Sequence, residues 1–249
     1  MKQGDLAGIE LAASGGDRYL AQTHEVINQP AALVDYNLYS TDLALREAVG
    51  VQGGEAAEAS LLAFGARLGS AEFIALGEQA NRYPPELDTH DRFGHRIDLV
   101  RFHPAYHALM EASLGAGLHA APWRAPGSGA HVARAAKFFM MSQVEAGHCC
   151  PVTMTFAAVP ALRRQPDLAA LWEARITADG YDPRNVPADR KAALTIGMAM
   201  TEKQGGSDVR ANATRAFPVG REGPGQAYEL VGHKFFVSAP MCDAFLTLA

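Results

Sequence analysis

The chain has 249 residues, 48% of them hydrophobic and 20% charged, with a formal net charge of −5. That length supports a substantial core in one large or two modest domains, and the acidic balance supplies no global pull toward nucleic acid or an anionic membrane. The three cysteines, two of them adjacent (Cys149, Cys150 and Cys242), argue against a disulfide framework and for a reducing compartment, so a cytoplasmic location is expected.

Met1 to Gln22 is rich in Gly and Ala and is expected to be a loosely ordered extension, with Asp5 and Glu10 unlike a signal peptide. Asn28 to Tyr39, with Pro30, suggests an extended arm. Helices follow. Ser40 or Thr41 is placed to cap the first, which ends near Gly50. Glu55 to Leu68 sets Ala59, Leu62, Ala63 and Ala66 on one stripe, and Ser70 caps a third helix ending before Pro84-Pro85. Asp88 to Leu99 reads as a turn or short hairpin around Phe93-Gly94, and His103-Pro104 opens another helix.

After a Pro/Gly loop from Ala121 to Gly129, Ala130 to Ala146 is a strong helix with Val132, Ala135, Ala136, Phe139 and Gln143 on one face. Pro151 opens a helix that Pro160 is expected to kink, and Pro166 opens one reaching about Thr177. Asp179 to Arg190, with Pro183 and Pro187, looks like a boundary. Beyond it the pattern changes to short strands: Leu194–Thr201, Asn212–Val219, Ala227–Val231, Lys234–Ser238 and Ala244–Ala249, with a hairpin at Gly220–Gly225. No apolar run approaches the roughly 20 residues needed to span a bilayer.

The first of these strands ends in Thr201-Glu202-Lys203-Gln204-Gly205-Gly206-Ser207-Asp208. Adjacent glycines permit left-handed torsions and a close approach of backbone N–H groups to a ligand, and the hydroxyls of Thr201 and Ser207 add donors. On these residues alone the stretch is either an anion-binding turn or a plain loop. Ala199 to Ala211 (AMTEKQGGSDVRA), followed at the right spacing by Gly232 to Ala239 (GHKFFVSA), resembles the flavin-binding signatures of the acyl-CoA dehydrogenases. Thr23 to Pro30, Val100 to Pro104, Gln143 to Gly147 and Pro151 to Phe156 narrow the resemblance to the AidB-type branch, associated with the response to DNA alkylation.

The resemblance implies a multi-domain α+β chain. An all-α helical domain over residues 23–190 would precede a truncated β-barrel flavin-binding domain over 191–249, with the family's C-terminal helical bundle absent. It implies FAD as cofactor. Met198, Met200 and Thr201 would line the isoalloxazine edge, the Thr201 hydroxyl and backbone N–H groups bonding its pyrimidine carbonyls. Gly206 and Ser207 would hold the pyrophosphate, and Ser207 would also meet the CoA portion of an acyl thioester. Phe236 stands where the family usually stacks a Trp on the flavin, Val237 follows it, and Ser238 stands where a Thr hydroxyl lies near N5. The reaction implied is α,β-dehydrogenation of a short or branched acyl-CoA such as isovaleryl-CoA, in a homotetramer when full length, with the electron acceptor unspecified. The alternatives are a DNA-protecting protein of the alkylation response, binding DNA through a domain not in this sequence, or an inactive truncation.

The family's catalytic glutamate belongs to that C-terminal bundle, so no catalytic residue is assigned and the chain alone is expected to show no turnover, an unpaired β-edge and uncovered apolar surface. Glu202, the carboxylate inside the signature, is expected to hold the loop through backbone N–H groups. His103, His107 and Glu111 share a helical face with ligand chemistry, but capping and packing are the simpler roles. Cys149-Cys150 is expected to be a buried pair, Met140-Met141 and Phe138-Phe139 core, and Arg134, Lys137, Arg163 and Arg164 a solvated face rather than a nucleic-acid patch.

Overall fold

A computed structural model describes residues 26–249. The expected extension over 1–22 and the Thr23-His24-Glu25 start of the family wording lie outside the described residues. The chain divides into Met1–Leu33, whose described part has no helix or strand, and Val34–Ala249. The larger unit runs α1 (Leu43–Val51), α2 (Glu58–Leu68), α3 (Ala71–Arg82), β1 (Glu86–His90), β2 (Arg96–Arg101), α4 (Pro104–Gly115), α5 (Ala121–Arg124), α6 (Ala130–Val144), α7 (Cys149–Leu162), α8 (Pro166–Ile176), β3 (Ile196–Ala199), β4 (Arg215–Pro218), β5 (Tyr228–Val231) and β6 (Ala244–Thr247). Among the described residues no single helix is long and apolar enough to cross a membrane.

The helix ends follow capping chemistry. Asp42 caps α1 by accepting from Leu45 N–H at 2.9 Å, while Thr41, one of the two expected caps, donates its hydroxyl to Asn37 C=O instead. Ser70 caps α3 as expected, and the His103 ring nitrogen accepts from Ala105 N–H ahead of Pro104 on α4. At the end of α2, a Cβ on Gly69 would stand 1.6 Å from the Tyr36 carbonyl oxygen, so only glycine lets the preceding segment close over the helix. The loop expected over 121–129 begins with the single helical turn of α5.

The buried faces differ from the expected stripes. On α2 the core side is Leu61, Phe64, Gly65 and Leu68; Ala59, Ala63 and Ala66 are exposed and Leu62 is half-buried. On α6 the core side is Ala136, Met140 and Met141, with Ala135 and Gln143 exposed and Phe139 48% exposed. The cause is the same in both: burying a Leu, Phe or Met contributes about 1.5–3 kcal/mol, far more than an alanine, and rotates the helix toward its large side chains. Met140 and Met141 join Leu61, Leu109, Met110 and Leu114 in the main core. Of the cysteine pair only Cys149 is buried; Cys150 is exposed, because consecutive helical residues point in different directions. Burial pushes the Cys149 thiol up to about 12.

A smaller cluster of Ala158, Val159, Leu162, Ile176, Leu194 and Ile196 joins α7 and α8 to β3. The Thr155 hydroxyl on α7 donates to Pro151 C=O and accepts from Ile196 N–H at 3.0 Å, fixing the start of β3 against the helix. β3 pairs in parallel with β6, Ile196 opposite Ala244 through Ala199 opposite Thr247. β1 and β2 form the expected antiparallel hairpin, as do β4 and β5 around the glycine-rich turn. The expected strand at Lys234–Ser238 is not formed. A single bridge, Lys234 to Glu202, is followed by left-handed backbone at Phe236 (φ 61°) and Ala239 (φ 52°), which no ladder accommodates. The strands make three two-stranded sheets and no closed barrel among the described residues. β4 and β5 are exposed along their length, Phe217, Leu230 and Val231 among them.

The turn between α6 and α7 holds a buried polar relay. Glu145 accepts from the N–H groups of Gly147 (2.6 Å) and His148 (2.7 Å) and from His148 Nδ1 (2.7 Å), and His148 Nε2 meets the Ser113 hydroxyl of α4 at 2.8 Å. An ionised Glu145 can only accept, so His148 Nδ1 carries a proton toward it. Ser113 and His148 are 0% and 1% exposed, so the relay ties helices together and meets no substrate. Burial would raise the Glu145 carboxyl, but the His148 and Gly147 donors outweigh it and hold the group at about 2, below its ordinary 4.5. A carboxyl lowered on folding stabilises the fold above its ordinary range and loses that contribution as pH falls toward the folded value. Denaturant titrations across pH should therefore show stability falling between about 4.5 and about 2, with that part of the slope absent in Glu145→Gln; an identical slope in the variant contradicts the relay.

Candidate functional site

β3 delivers the chain into the loop Met200–Asp208, and the geometry there is a clasp between two stretches far apart in sequence. Phe235 N–H donates to Thr201 C=O at 3.1 Å, the Thr201 hydroxyl donates back to Phe235 C=O at 2.5 Å, and Lys203 N–H reaches His233 C=O at 3.3 Å. The GHKFFVSA stretch thus lies beside the Gly-rich loop, not as a strand but as the loop's partner. Glu202 closes on Gly205 through reciprocal backbone bonds of 3.0 Å, a tight turn that carries Gly206 and Ser207 outward.

Glu202 is 3% exposed and its carboxylate collects five donors. These are Ala213 N–H (2.7 Å), Thr214 N–H (2.9 Å), the Thr214 hydroxyl, Gln204 Nε2 (2.5 Å) and Lys234 Nζ (3.2 Å). The Thr214 hydroxyl and the Ala213 N–H lead in holding the carboxyl well below the usual carboxylate range. The expected anchoring role of Glu202 holds, and its reach extends beyond the loop to the entry of β4. Thr214 was not singled out by sequence; a Thr twelve residues downstream carries no local signal. Met200 C=O is held by Asn212 Nδ2 at 2.8 Å and by Lys234 Nζ at 3.4 Å, so the loop's first residue is fixed from both sides.

The residues singled out by sequence fall as follows. Met198 is half-buried on β3, and Met200 and Thr201 are half-buried at the loop's base. Gly206 and Ser207 are exposed at its tip, and no backbone hydrogen bond among the described residues takes up their N–H groups. Neither Gly205 nor Gly206 has the left-handed torsions anticipated for them. Gly206 is required for a different reason: a Cβ would stand 2.6 Å from Thr201 Cγ2. The left-handed residue is Phe236, with its side chain 82% exposed; Val237 is 37% exposed and Ser238 half-buried. A bulky residue at positive φ is costly and persists where neighbours over-determine it, here the Thr201–Phe235 bonds.

The other tempting groups are absorbed by packing. His103 caps α4 and stacks on Tyr83 at 4.8 Å, and His107 Nδ1 lies 2.9 Å from the Tyr181 hydroxyl. Among the described residues no three of the metal-binding types gather. Arg134 lies over the rings of Phe138 and Phe156, and Arg163 is paired with Glu173 at 2.7 Å.

Helices lead into a short-stranded region with a clasped Gly-rich loop, and the solved structures this arrangement matches are of the acyl-CoA dehydrogenase-like fold. The crystal structure of Caenorhabditis elegans ACDH-11 in complex with C11-CoA matches with a TM-score of 0.75 at 26% identity, over 94% of this chain and 39% of that one. Bd2924 in its apo form matches with a TM-score of 0.73 at 27% identity, over 85% and 42%. The model of the adaptive response protein AidB N-terminal domain matches residues 28–183, and the chain belongs to that family. It is 49% identical to AidB of Escherichia coli (strain K12) over 230 residues, 92% of this chain and 42% of that protein. Acyl-CoA dehydrogenase family member 11 of Caenorhabditis elegans is 31% identical over 194 residues, 77% of this chain and 30% of that protein. The chain thus spans less than half the length of these curated relatives.

The clasp makes a direct prediction. In Glu202→Gln an amide replaces the charged acceptor, Lys234 loses its counter-ion, and the loop should open more often. Tryptic cleavage after Lys203 or Arg210, both exposed, is expected to accelerate about tenfold with the remaining sites unchanged. Equal cleavage rates would show that the carboxylate does not hold the loop.

Proposed function

We propose that this chain forms the FAD-facing and acyl-CoA-facing part of an acyl-CoA dehydrogenase-type flavoprotein. The observation that carries the reading is the clasp, which sets a loop with outward N–H groups beside an exposed aromatic ring held at a strained backbone position. The residues fit the cofactor: the exposed Gly206 and Ser207 N–H groups have no backbone acceptor among the described residues, and the exposed Phe236 ring offers an apolar face for stacking. In this reading Met198 and Met200 border the flavin ring, Gly206 and Ser207 bind the pyrophosphate, and Phe236, Val237 and Ser238 flank the ring's other side. The single proton of the Thr201 hydroxyl goes to Phe235 C=O, so the donor to the flavin at this place is the Thr201 N–H and the hydroxyl serves the clasp. FAD, when bound, supplies a hydride acceptor.

Proton abstraction is not assigned to Glu202, whose lone pairs are committed to five donors. The ligand we assign is an acyl-CoA thioester, by likeness to the ACDH-11 structure described with C11-CoA. The helical part through residue 190 serves as scaffold and the part from 191 as cofactor face. A DNA-protecting role has no support in this region: the net charge is −5, and Arg134 and Arg163 are occupied by internal partners.

The test is the flavin content of the natural protein isolated from its own cells, read from visible absorbance. FAD near one per chain is expected, falling to about a tenth or less in Gly206→Val, where the new side chain pushes against Thr201 and displaces the turn, and in Phe236→Ala, where stacking is lost. A protein isolated and reconstituted without flavin, or variants with undiminished content, would overturn the assignment.

A further inference from the structure

Met200 C=O and Thr201 N–H are the two ends of one planar, conjugated peptide group. At its oxygen end two side chains converge from distant parts of the chain, Asn212 Nδ2 at 2.8 Å and Lys234 Nζ at 3.4 Å. At its nitrogen end, the Thr201 N–H has no backbone acceptor among the described residues. The next peptide group is used within the fold at both ends. Thr201 C=O accepts from Phe235 N–H, and Glu202 N–H donates to Gly205 C=O.

Neither acceptor beside Lys234 needs it to complete its hydrogen bonding. Asn212 already donates to Met200 C=O, and the Glu202 carboxylate already has the Ala213 and Thr214 N–H groups, the Thr214 hydroxyl and Gln204. What the ammonium adds is charge. Its side chain is 15% exposed and it stands 3.2 Å from Glu202, so it is fixed in place and little screened by solvent. A cation beside a carbonyl oxygen draws electron density toward that oxygen and leaves the N–H of the same peptide more positive. Hydrogen bonds chained in this way strengthen one another by about 10–30% each.

We infer that Lys234 and Asn212 are positioning residues that act through the Met200–Thr201 peptide, strengthening the Thr201 N–H as a donor to the flavin and so raising the reduction potential of the bound cofactor. This rests on the flavin reading given above, in which that N–H is the donor. A reduced flavin carries more negative charge on its ring carbonyls than an oxidised one, so a stronger donor there favours the reduced form. Both side chains act at one remove, because their hydrogen bonds end on Met200 C=O.

The test is the midpoint potential of the flavin, titrated at saturating FAD, in the natural protein and in Lys234→Met, Lys234→Arg and Asn212→Ala, with flavin content measured alongside. Lys234→Met is expected to shift the two-electron equilibrium about tenfold toward the oxidised form, a fall of about 30 mV. Asn212→Ala, which leaves the Glu202–Lys234 pair in place, is expected to shift it about threefold in the same direction. Lys234→Arg restores a cationic donor and should return to within about twofold of the wild type. Flavin content near that of the wild type is expected throughout. If the variants bind flavin at the wild-type potential, the two side chains only hold the loop; the inference is overturned and the flavin reading stands. Loss of flavin from both Lys234→Met and Asn212→Ala at saturating FAD overturns it equally. If Lys234→Met alone loses flavin, Asn212→Ala decides, a fall in potential upholding the inference and an unchanged one overturning it. If the wild type binds no flavin, the cofactor reading falls and the inference falls with it.

Discussion

The Glu202 carboxylate is the point on which the candidate site depends. A carboxylate taken out of water needs donors on nearly all its lone pairs, and here they come from the loop itself, the approach to β4, and the Lys234 ammonium. Three segments that share no regular sheet are thereby held at one point. Where a β-ladder would fix geometry by repetition, this site fixes it by charge. The chain can then afford irregular backbone at Phe236, because the Thr201–Phe235 exchange on the preceding residue bears the constraint.

That point is in turn held by the helical scaffold. The Thr155 hydroxyl receives Ile196 N–H, and Asp243 receives Thr195 N–H at 2.9 Å while pairing with Lys191. The strand that feeds the loop is thus fixed at its root from α7 on one side and from the entry to β6 on the other. The parallel pairing of β3 with β6 carries this position to the loop without adding any side chain to it. Further back, the Ser113–His148–Glu145 relay joins α4 to the turn that opens α7, the helix that carries Thr155. Its three groups have the order of a nucleophile, base and carboxylate, yet burial in the core makes them a structural joint.

Element types were legible in the sequence because capping residues and prolines act locally: Ser70, His103-Pro104 and Pro166 each mark a helix start that the structure keeps. Faces were less legible, since small residues dominate α2 and α6 and the rotation is set by a few large ones. The Gly-rich loop was recognisable by its wording, and its pairing with the GHKFFVSA stretch was implied by resemblance, but its physical cause was not visible. Glycine torsions were the expected reason for Gly205-Gly206; steric clearance against Thr201 is the observed one at Gly206. Lys234–Ser238 reads as a strand by composition, and tertiary bonds to the loop override that preference. Asn212 and Thr214 carry no sequence signal because their importance arises from partners at long range.

The central claim is that the clasped loop and its Phe235–Ala239 partner form the flavin-binding face. The measurement that meets it most directly is amide hydrogen exchange by mass spectrometry on the natural protein with FAD bound and with FAD removed. The account predicts that added protection within this region concentrates in residues 198–208 and 235–239, with the helices through residue 176 unchanged. Protection in the helices with none in those two stretches would contradict it.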